Sequence, residues 1–324
     1  MNAPLACIYL QAFVAPLVPH LARKDVTDLY INRPGEIWLE TLGGQIDRLE
    51  VPELGRDLLG RFARQVASLT AQAICRESPL LSATLPTGER IQVVLPPATR
   101  GEIAIAIRKH VVSALTLEDY DLGTDLPAED ESYGRNRSDL ADASIATLLR
   151  HAVQQRRNIL VSGGTSTGKT TLLNILLSEI PAEERLILIE DTPELHLRHE
   201  NAVGLIATRG EMGEAQVDAE DLLMAGLRMR PDRIILGEIR GSEATTYLRA
   251  INTGHPGSFS TIHANSPQGA IDQLALLVLQ TGIQMSWESV TTYVRRSLDI
   301  IVQLKRGSGR RRIDSVLFVK EVSE

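Results

Sequence analysis

The fold of this chain is set by one run of sequence, Asn158-Ile159-Leu160-Val161-Ser162-Gly163-Gly164-Thr165-Ser166-Thr167-Gly168-Lys169-Thr170-Thr171. Its apolar start is typical of a buried strand, and the apolar-rich residues 171–177 are typical of a helix. Residues 163–170 between them fit the pattern G-x-x-x-x-G-K-[ST] in full. A strand, a glycine-rich turn and a helix in this order predict an α/β fold with a phosphate-binding loop.

Each part of this loop has a chemical reason. Glycines let backbone N–H groups turn inward around phosphate oxygens, and the helix N-terminus adds a favourable dipole. We expect Lys169 to contact the β- and γ-phosphates of ATP and the Thr170 hydroxyl to bind Mg²⁺. The alternative is a glycine-rich turn without a ligand, but such a turn does not require the lysine. The expected nucleotide contacts are Gly163, Gly164, Thr165, Ser166, Thr167, Gly168, Lys169, Thr170 and Thr171.

Two acidic segments follow apolar runs that are typical of strands. Glu190 and Asp191 come directly after residues 186–189, and Glu238 follows residues 233–236 and Gly237. Acids after buried parallel strands emerge at the carboxyl edge of the sheet, where open α/β folds bind ligands. Glu190 is a candidate for orienting or deprotonating the attacking water, or else a surface acid, and Asp191 could cap the next turn. Glu238 could bind Mg²⁺ through water or orient the attacking water itself.

A histidine completes the candidate site. His263 follows the apolar run 259–262, so we expect it at the same edge of the sheet as the acids. An imidazole N–H there could donate to the γ-phosphate, although a lone histidine is more often a satisfied core or surface residue. The remaining histidines form no convincing metal cluster.

The composition limits the class of protein. A length of 324 residues favours two domains, and the net charge of −7 provides no global basic field that would attract nucleic acid. With only Cys7 and Cys75, the chain cannot form a disulfide-rich scaffold or a four-cysteine zinc site, which favours the cytoplasm. Because no apolar stretch reaches about 20 residues, we expect no membrane span.

An acidic segment divides the chain. Seven acidic residues and no Lys or Arg lie between Glu118 and Glu131, which is typical of an exposed linker. We therefore predict a mixed α/β domain over residues 1–117, an acidic linker over 118–140 and a nucleotide-binding domain over 141–324. The expected strands are 28–32, 37–40, 91–95, 103–107, 159–162, 186–189, 234–236, 259–262, 300–304 and 313–319, and helices are expected within 54–77 and between the later strands.

Helical spacing of apolar residues also marks the N-terminus. The positions are Leu10, Phe13, Val14, Leu17 and Leu21. They predict a short amphipathic helix that packs on its own domain, rather than on a membrane or a partner.

The chain carries four segments in order: the phosphate loop and the runs that contain Glu190, Glu238 and His263. In this order they resemble the motifs of the secretion and pilus traffic ATPases. Residues 26–40, with Asn32-Arg33-Pro34-Gly35-Glu36, are similar to the opening of the VirB-type ATPases of type IV secretion systems. The resemblance implies a RecA-like P-loop NTPase domain preceded by a smaller mixed α/β domain, with ATP bound between the two domains of a homo-hexamer. It also implies phosphate-facing roles for Arg90 and Arg108. Further candidates for an arginine finger between subunits are Arg228, Arg230 and Arg240.

The function implied by this resemblance is an Mg²⁺-dependent ATPase that powers assembly of, and transfer through, a type IV secretion system. It implies a cytoplasmic protein, peripheral at the inner membrane, with the inner-membrane channel components as partners. The net charge does not favour direct binding of nucleic acid. A pilus motor, a type II secretion ATPase and a nucleotide-binding module without turnover remain alternatives. A RecA-like nucleic-acid motor has one supporting feature, the basic cluster Lys305, Arg306, Arg310, Arg311 and Arg312.

Overall fold

The computed structural model describes residues 13–42, 44–109, 115–122, 144–207, 217–306 and 311–319. These residues form two compact units, one that ends at Lys109 and one that begins at Leu115. Each unit has its own sheet and its own apolar core. None of the described helices combines the length and the apolar character that a membrane span needs.

The first unit is an antiparallel sheet of six strands in the order β3-β2-β1-β6-β5-β4. A short helix, α1, precedes the sheet and a longer one, α2, lies between β3 and β4 in the chain. The bounds are α1 Val18–Leu21, β1 Val26–Ile31, β2 Glu36–Thr41, β3 Ile46–Glu50, α2 Arg56–Leu69, β4 Leu80–Thr84, β5 Arg90–Val94 and β6 Ala104–Arg108.

The core of this unit forms where α2 buries one face against alternate residues of the sheet. Leu59, Phe62 and Val66 of α2 are buried in one cluster with the apolar residues of β1, β2, β5 and β6. Leu17 is fully buried in the same cluster, and Phe13, Val14 and Leu21 pack against it. The prediction that the N-terminal apolar positions pack on their own domain is therefore confirmed for these residues, while Leu10 lies outside the described residues.

The four strands predicted in this half are all present, with their ends shifted by one or two residues. The sequence pattern missed β3 and β4, which are the two edge strands. In β3 the sequence Ile46-Asp47-Arg48-Leu49-Glu50 has no apolar alternation, and its side chains are mostly exposed. Since an edge strand has a partner on one side only, its apolar pattern is weak.

The second unit is a sheet of eight strands in the order β10-β9-β11-β12-β8-β13-β14-β7. Neighbouring strands are parallel except for the antiparallel pair β13 and β14. The strand bounds are β7 Asp121–Leu122, β8 Ile159–Gly163, β9 Leu186–Glu190, β10 Ala202–Ile206, β11 Arg233–Leu236, β12 Phe259–Ile262, β13 Ile300–Arg306 and β14 Arg311–Phe318. The helix bounds are α3 Ile145–Gln154, α4 Lys169–Ser178, α5 Ala219–Leu227, α6 Glu243–Asn252, α7 Pro267–Gln280 and α8 Trp287–Ser297.

Helices cover both faces of this sheet. One core cluster joins α3 and α4 to alternate residues of the central strands, such as Ile159 and Val161 of β8. A second cluster joins α5 to α8 to the other set, such as Leu160 of β8 and Ile187 of β9. Because β8, β9, β11 and β12 run parallel, their carboxyl ends meet at one edge. The six strands predicted here are confirmed, whereas β7 and β10 were not predicted.

Residues 115–122 fold with the second unit. Leu117 and Tyr120 are buried in the cluster that contains α3 and α4, and β7 pairs with β14. Glu118 accepts a hydrogen bond of 2.8 Å from Arg150 of α3. The described start of the expected linker therefore belongs to the second unit, and the rest of it, from 123 to 140, lies outside the described residues.

A buried ion pair lies at the amino edge of this sheet, opposite the phosphate loop. The fully buried Arg233, the first residue of β11, donates two hydrogen bonds of 2.7 Å to the carboxylate of Glu184. Its Nη1 also donates to the carbonyl oxygen of Val153 at 2.8 Å. The exposed Arg156 lies 3.1 Å from the same carboxylate. The pair therefore ties β11 to the end of α3 and to the segment before β9.

We expect Arg233→Met to lower the free energy of unfolding by about 3–5 kcal/mol, because it leaves the Glu184 carboxylate buried without its main partner. Methionine is close in volume, so the change measures the lost charge rather than a cavity. The exposed Arg249 of α6 is the matched control, and Arg249→Ala is expected to change this free energy by no more than about 0.5 kcal/mol. Urea denaturation followed by circular dichroism gives both values. A loss below about 1 kcal/mol for Arg233→Met would contradict the prediction.

Candidate active site

The phosphate loop leaves the carboxyl end of β8 at Gly163 and enters α4 at Lys169. Gly168, the N-cap of α4, has φ +95°, a conformation that glycine adopts without strain. A Cβ atom at Gly163 would lie 2.5 Å from Thr167 Oγ1 and 3.1 Å from the carbonyl oxygen of Leu304. The loop is therefore packed too tightly for a side chain at its first position, as the glycine pattern predicts.

Lys169 lies folded over the loop. Its side chain is buried, and Nζ donates to the carbonyl oxygens of Gly163 at 2.9 Å and Gly164 at 3.0 Å. The same Nζ lies 3.2 Å from Nδ1 of His263 at the end of β12. The ammonium group thus lies at the mouth of the loop, where the sequence predicts phosphate.

A row of charged and histidine side chains runs from Lys169 along the carboxyl edge of the sheet. His263 Nε2 lies 2.9 Å from Glu238 Oε1, and Arg240 donates to the other oxygen of Glu238. Arg240 Nη1 lies 3.5 Å from Asp191 Oδ2. The hydrogen bond to Glu238 raises the pKa of the Arg240 guanidinium above its usual value. The structure therefore brings together His263, Glu238 and Arg240 with the phosphate loop.

One hydroxyl and one carboxylate side chain hold the segment that carries Glu238. Thr261 Oγ1 donates to the carbonyl oxygen of Gly237 at 2.8 Å. Glu243, the first residue of α6, accepts from the backbone N–H groups of Arg240 at 2.6 Å and Gly241 at 2.9 Å. Sequence analysis missed Glu243, whose signal is an acid in the first turn of a helix that follows the Glu238 strand.

The hydrogen bonds of Glu190 differ from those expected of a residue that orients the attacking water. Its buried side chain accepts, through Oε1, the backbone N–H groups of Glu194 at 2.8 Å and Leu195 at 2.7 Å. Glu190 therefore caps the turn for which Asp191 was the candidate, while Asp191 lies beside Arg240. The reason is the alternation of side chains at the strand end, which turns Glu190 toward the following segment. A catalytic role for Glu190 stays a prediction.

Arg90 and Arg108 lie in the first unit, directly opposite each other on β5 and β6. Asp28 of β1 lies 3.9 Å from Arg108. Like charges opposite each other in a sheet are unfavourable, so a nearby anion stabilises such a pair. Their contact with nucleotide stays a prediction. Arg228 and Arg230 follow α5, and among the described residues neither forms an ion pair.

The basic cluster of the nucleic-acid alternative lies on the β13–β14 hairpin. Lys305 is opposite Arg312, and Arg306 is opposite Arg311, whereas Arg310 lies outside the described residues. Asp314 lies 3.7 Å from the exposed Lys305. Arg312 also pairs with Asp121 of β7, so this part of the hairpin is not an edge of the sheet.

The donor set fits Mg²⁺ that arrives with a nucleotide. Within the described residues, no group of three or more His, Cys, Asp and Glu side chains could hold a metal ion. Mg²⁺ needs no such group when it keeps its waters and takes one or two protein oxygens together with phosphate oxygens. Thr170 in the first turn of α4 and Glu238 are oxygen donors of this kind.

Comparison with known proteins gives a match over nearly the whole chain. Residues 11–312 match the family described as Type II/IV secretion system protein. The Type IV secretion system protein VirB11 of Bartonella quintana is 38% identical over 94% of this chain and 91% of its own length.

Two solved structures are also similar. One is the VirB11 ATPase of the Brucella suis type IV secretion system in complex with sulphate, with 35% identity, a TM-score of 0.52 and coverage of 95% of this chain and 97% of that one. The other is the pilus retraction motor PilT with bound ADP, with 21% identity, a TM-score of 0.58 and coverage of 97% and 83%. The predicted fold class, a RecA-like P-loop domain preceded by a smaller α/β domain, is confirmed.

Proposed function

The chain belongs to the type II/IV secretion system protein family, and on that premise we propose that it is an Mg²⁺-dependent ATPase that powers type IV secretion. The observation that carries the proposal is the set of contacts joining Lys169, His263 and Glu238. This set places a cation, a hydrogen-bond donor and a carboxylate at the end of a phosphate loop. Groups of these kinds can stabilise a transferring phosphoryl group and orient the attacking water.

The reaction is transfer of the γ-phosphoryl group to water, so catalysis depends on positioning and charge stabilisation. Lys169 exchanges its two loop carbonyls for the β- and γ-phosphate oxygens when ATP binds. Thr170 and Glu238 would hold Mg²⁺, which would supply positive charge against the charge that develops on the phosphates. Glu238 orients the attacking water, and His263, between Lys169 and Glu238, donates to the γ-phosphate.

The proposed roles of Glu190 and Glu238 follow from the groups that each carboxylate contacts. Glu190 Oε1 already accepts two backbone N–H groups, whereas Glu238 lies in the row of side chains that begins at Lys169. We therefore propose that Glu238 orients the attacking water and that Glu190 holds the segment that follows it.

The names of the relatives support a role in type IV secretion. VirB11 of Bartonella quintana is named a type IV secretion system protein, and that of Brucella suis is named an ATPase of such a system. We further propose that the protein is a homo-hexameric motor, cytoplasmic and peripheral at the inner membrane, that acts on inner-membrane components of the channel. The net charge of −7 does not favour direct binding of nucleic acid.

One experiment on the purified full chain tests this proposal. Phosphate release from ATP is measured with Mg²⁺ and with an excess of EDTA, together with the mass of the assembly by light scattering. We expect hydrolysis with Mg²⁺ only, and a six-subunit mass at concentrations that support hydrolysis. Binding of ATP without turnover would instead favour a regulatory nucleotide-binding module. Stimulation by DNA with a steep salt dependence would favour a nucleic-acid motor.

A pilus motor is the second candidate function, and the shared fold with PilT is the observation that favours it. At 21% identity that likeness concerns the fold alone. Deletion of the gene separates the two: loss of secretion with pilus retraction intact supports the first function.

Arg108→Ala is expected to lower kcat for ATP at least about tenfold, because a positive group that neutralises transferring phosphate contributes about 10³–10⁵ in rate when it acts as a finger. An exposed strand arginine contributes little to folding, so the melting temperature should change little. Arg56→Ala, at an exposed arginine of α2 in the same unit, is the control. An unchanged kcat for Arg108→Ala would show that this arginine is an ordinary surface residue without a role in hydrolysis.

A further inference from the structure

The segment that follows Glu190, residues 191–196, contains no helix and no strand. Its backbone groups must therefore find hydrogen-bond partners elsewhere. Glu190 supplies partners for the N–H groups of Glu194 and Leu195. A second side chain, that of Asn174, also binds backbone groups of this segment.

Asn174 lies in the middle of α4, the helix that begins at Lys169. Its Nδ2 donates to the carbonyl oxygen of Glu194 at 3.0 Å, and its Oδ1 accepts from the backbone N–H of His196 at 2.7 Å. One amide side chain thus makes a two-point contact between the phosphate-loop helix and the segment that begins with Asp191. In the run Leu172-Leu173-Asn174-Ile175-Leu176-Leu177 it is the one polar residue.

These contacts close a ring around the site. From Lys169 the ring passes through His263, Glu238 and Arg240 to Asp191. From Asp191 the backbone leads to Glu194 and His196, and Asn174 returns the ring to α4. Every link except the Asn174 link is made by charged or histidine side chains or by continuous backbone.

We propose that Asn174 is a positioning residue for ATP hydrolysis, which fixes Asp191, and through it Arg240 and Glu238, relative to the phosphate loop. The inference rests on the proposed function, because it concerns the same site. Asn174 acts through the segment 191–196 and not through contact with nucleotide. Since a displacement of about 1 Å can cost about 10²-fold in rate, a loose segment lowers turnover more than binding.

The first test compares variants of Asn174 with a control on the same helix. Asn174→Ala removes both hydrogen bonds, and Asn174→Asp keeps an acceptor for His196 but loses the donor to Glu194. Ser178→Ala, one turn later, removes only a bond to the carbonyl oxygen of Ile175 within α4. For both Asn174 variants we expect kcat for Mg-ATP to fall at least about tenfold, with the Kd for Mg-ADP within about twofold of wild type. Ser178→Ala should retain both values.

The second test is a double-mutant cycle with Asp191→Asn, measured as kcat. If Asn174 acts through Asp191, the double variant loses no more activity than the more damaging single variant. Multiplied losses would overturn the proposal, as would wild-type kcat in both Asn174 variants. A rise in Kd that matches the fall in kcat would also overturn it, because that pattern indicates damage to the helix itself. Failure of the proposed function is a different result: the wild-type protein would then not hydrolyse ATP.

Discussion

Lys169→Ala is expected to reduce ATP hydrolysis to the background rate. The substitution removes a charge-assisted contact to the phosphates, whose loss costs about 1.5–3 kcal/mol of binding free energy, so the Kd for Mg-ATP should rise about 10- to 150-fold. It also removes the positive charge that stabilises the transferring phosphoryl group. Phosphate release and isothermal titration with the purified full chain give the two quantities.

The matched control for this prediction is Lys305→Ala, at a lysine that is largely exposed on β13 of the same unit. It should hydrolyse ATP at the wild-type rate. The fold should survive Lys169→Ala, because the ammonium contacts the phosphate loop and His263, which belong to the nucleotide site. Wild-type turnover in the folded Lys169→Ala protein would remove the basis for assigning phosphate binding to this loop.

Glu238→Gln should lower kcat by about 10²–10⁴-fold, the range that a positioned general base contributes. Glutamine keeps the shape of the side chain but loses the charge that attracts Mg²⁺ and polarises water. Because Lys169 and the loop amides remain, ATP binding should persist. Single-turnover hydrolysis and nucleotide binding distinguish these two effects.

Glu190→Gln is the informative comparison. Its amide oxygen can still accept the N–H groups of Glu194 and Leu195, so we expect a smaller loss of kcat than for Glu238→Gln. Glu288→Gln, at an exposed acid in the first turn of α8, should have no effect. If Glu190→Gln lowers kcat more than Glu238→Gln does, then Glu190 rather than Glu238 orients the attacking water.

Local sequence patterns predicted most of the second unit. The phosphate loop, four buried parallel strands and the acids or histidine after them follow from short runs such as 159–170 and 233–238. Apolar strands buried on both faces give a strong signal, because nearly every residue must be apolar. The edge strands β3, β4 and β10 were missed, since half-exposed strands need no such run.

The segment 115–122 illustrates a second limit. Its acids predict an exposed linker, but Leu117 and Tyr120 are buried in the core beside α3 and α4. Burial of these two side chains contributes about 1.5–3 kcal/mol each to attaching it to the second unit, and β7 adds backbone pairing with β14. Charge composition describes the exposed face of a segment and does not show what lies on its other face.

The sequence by itself determined the loop, the buried strands β8, β9, β11 and β12 and the residues that follow their carboxyl ends, because a turn and a buried strand are specified by neighbours in the chain. Only the tertiary structure decided which of those residues touch. Lys169 and His263 are 94 positions apart, and their contact depends on β8 and β12 being adjacent. In the same way Glu190, Glu243 and Asn174 hold backbone groups of other segments. Such hydrogen bonds depend on side-chain direction across packed elements, which no local pattern specifies.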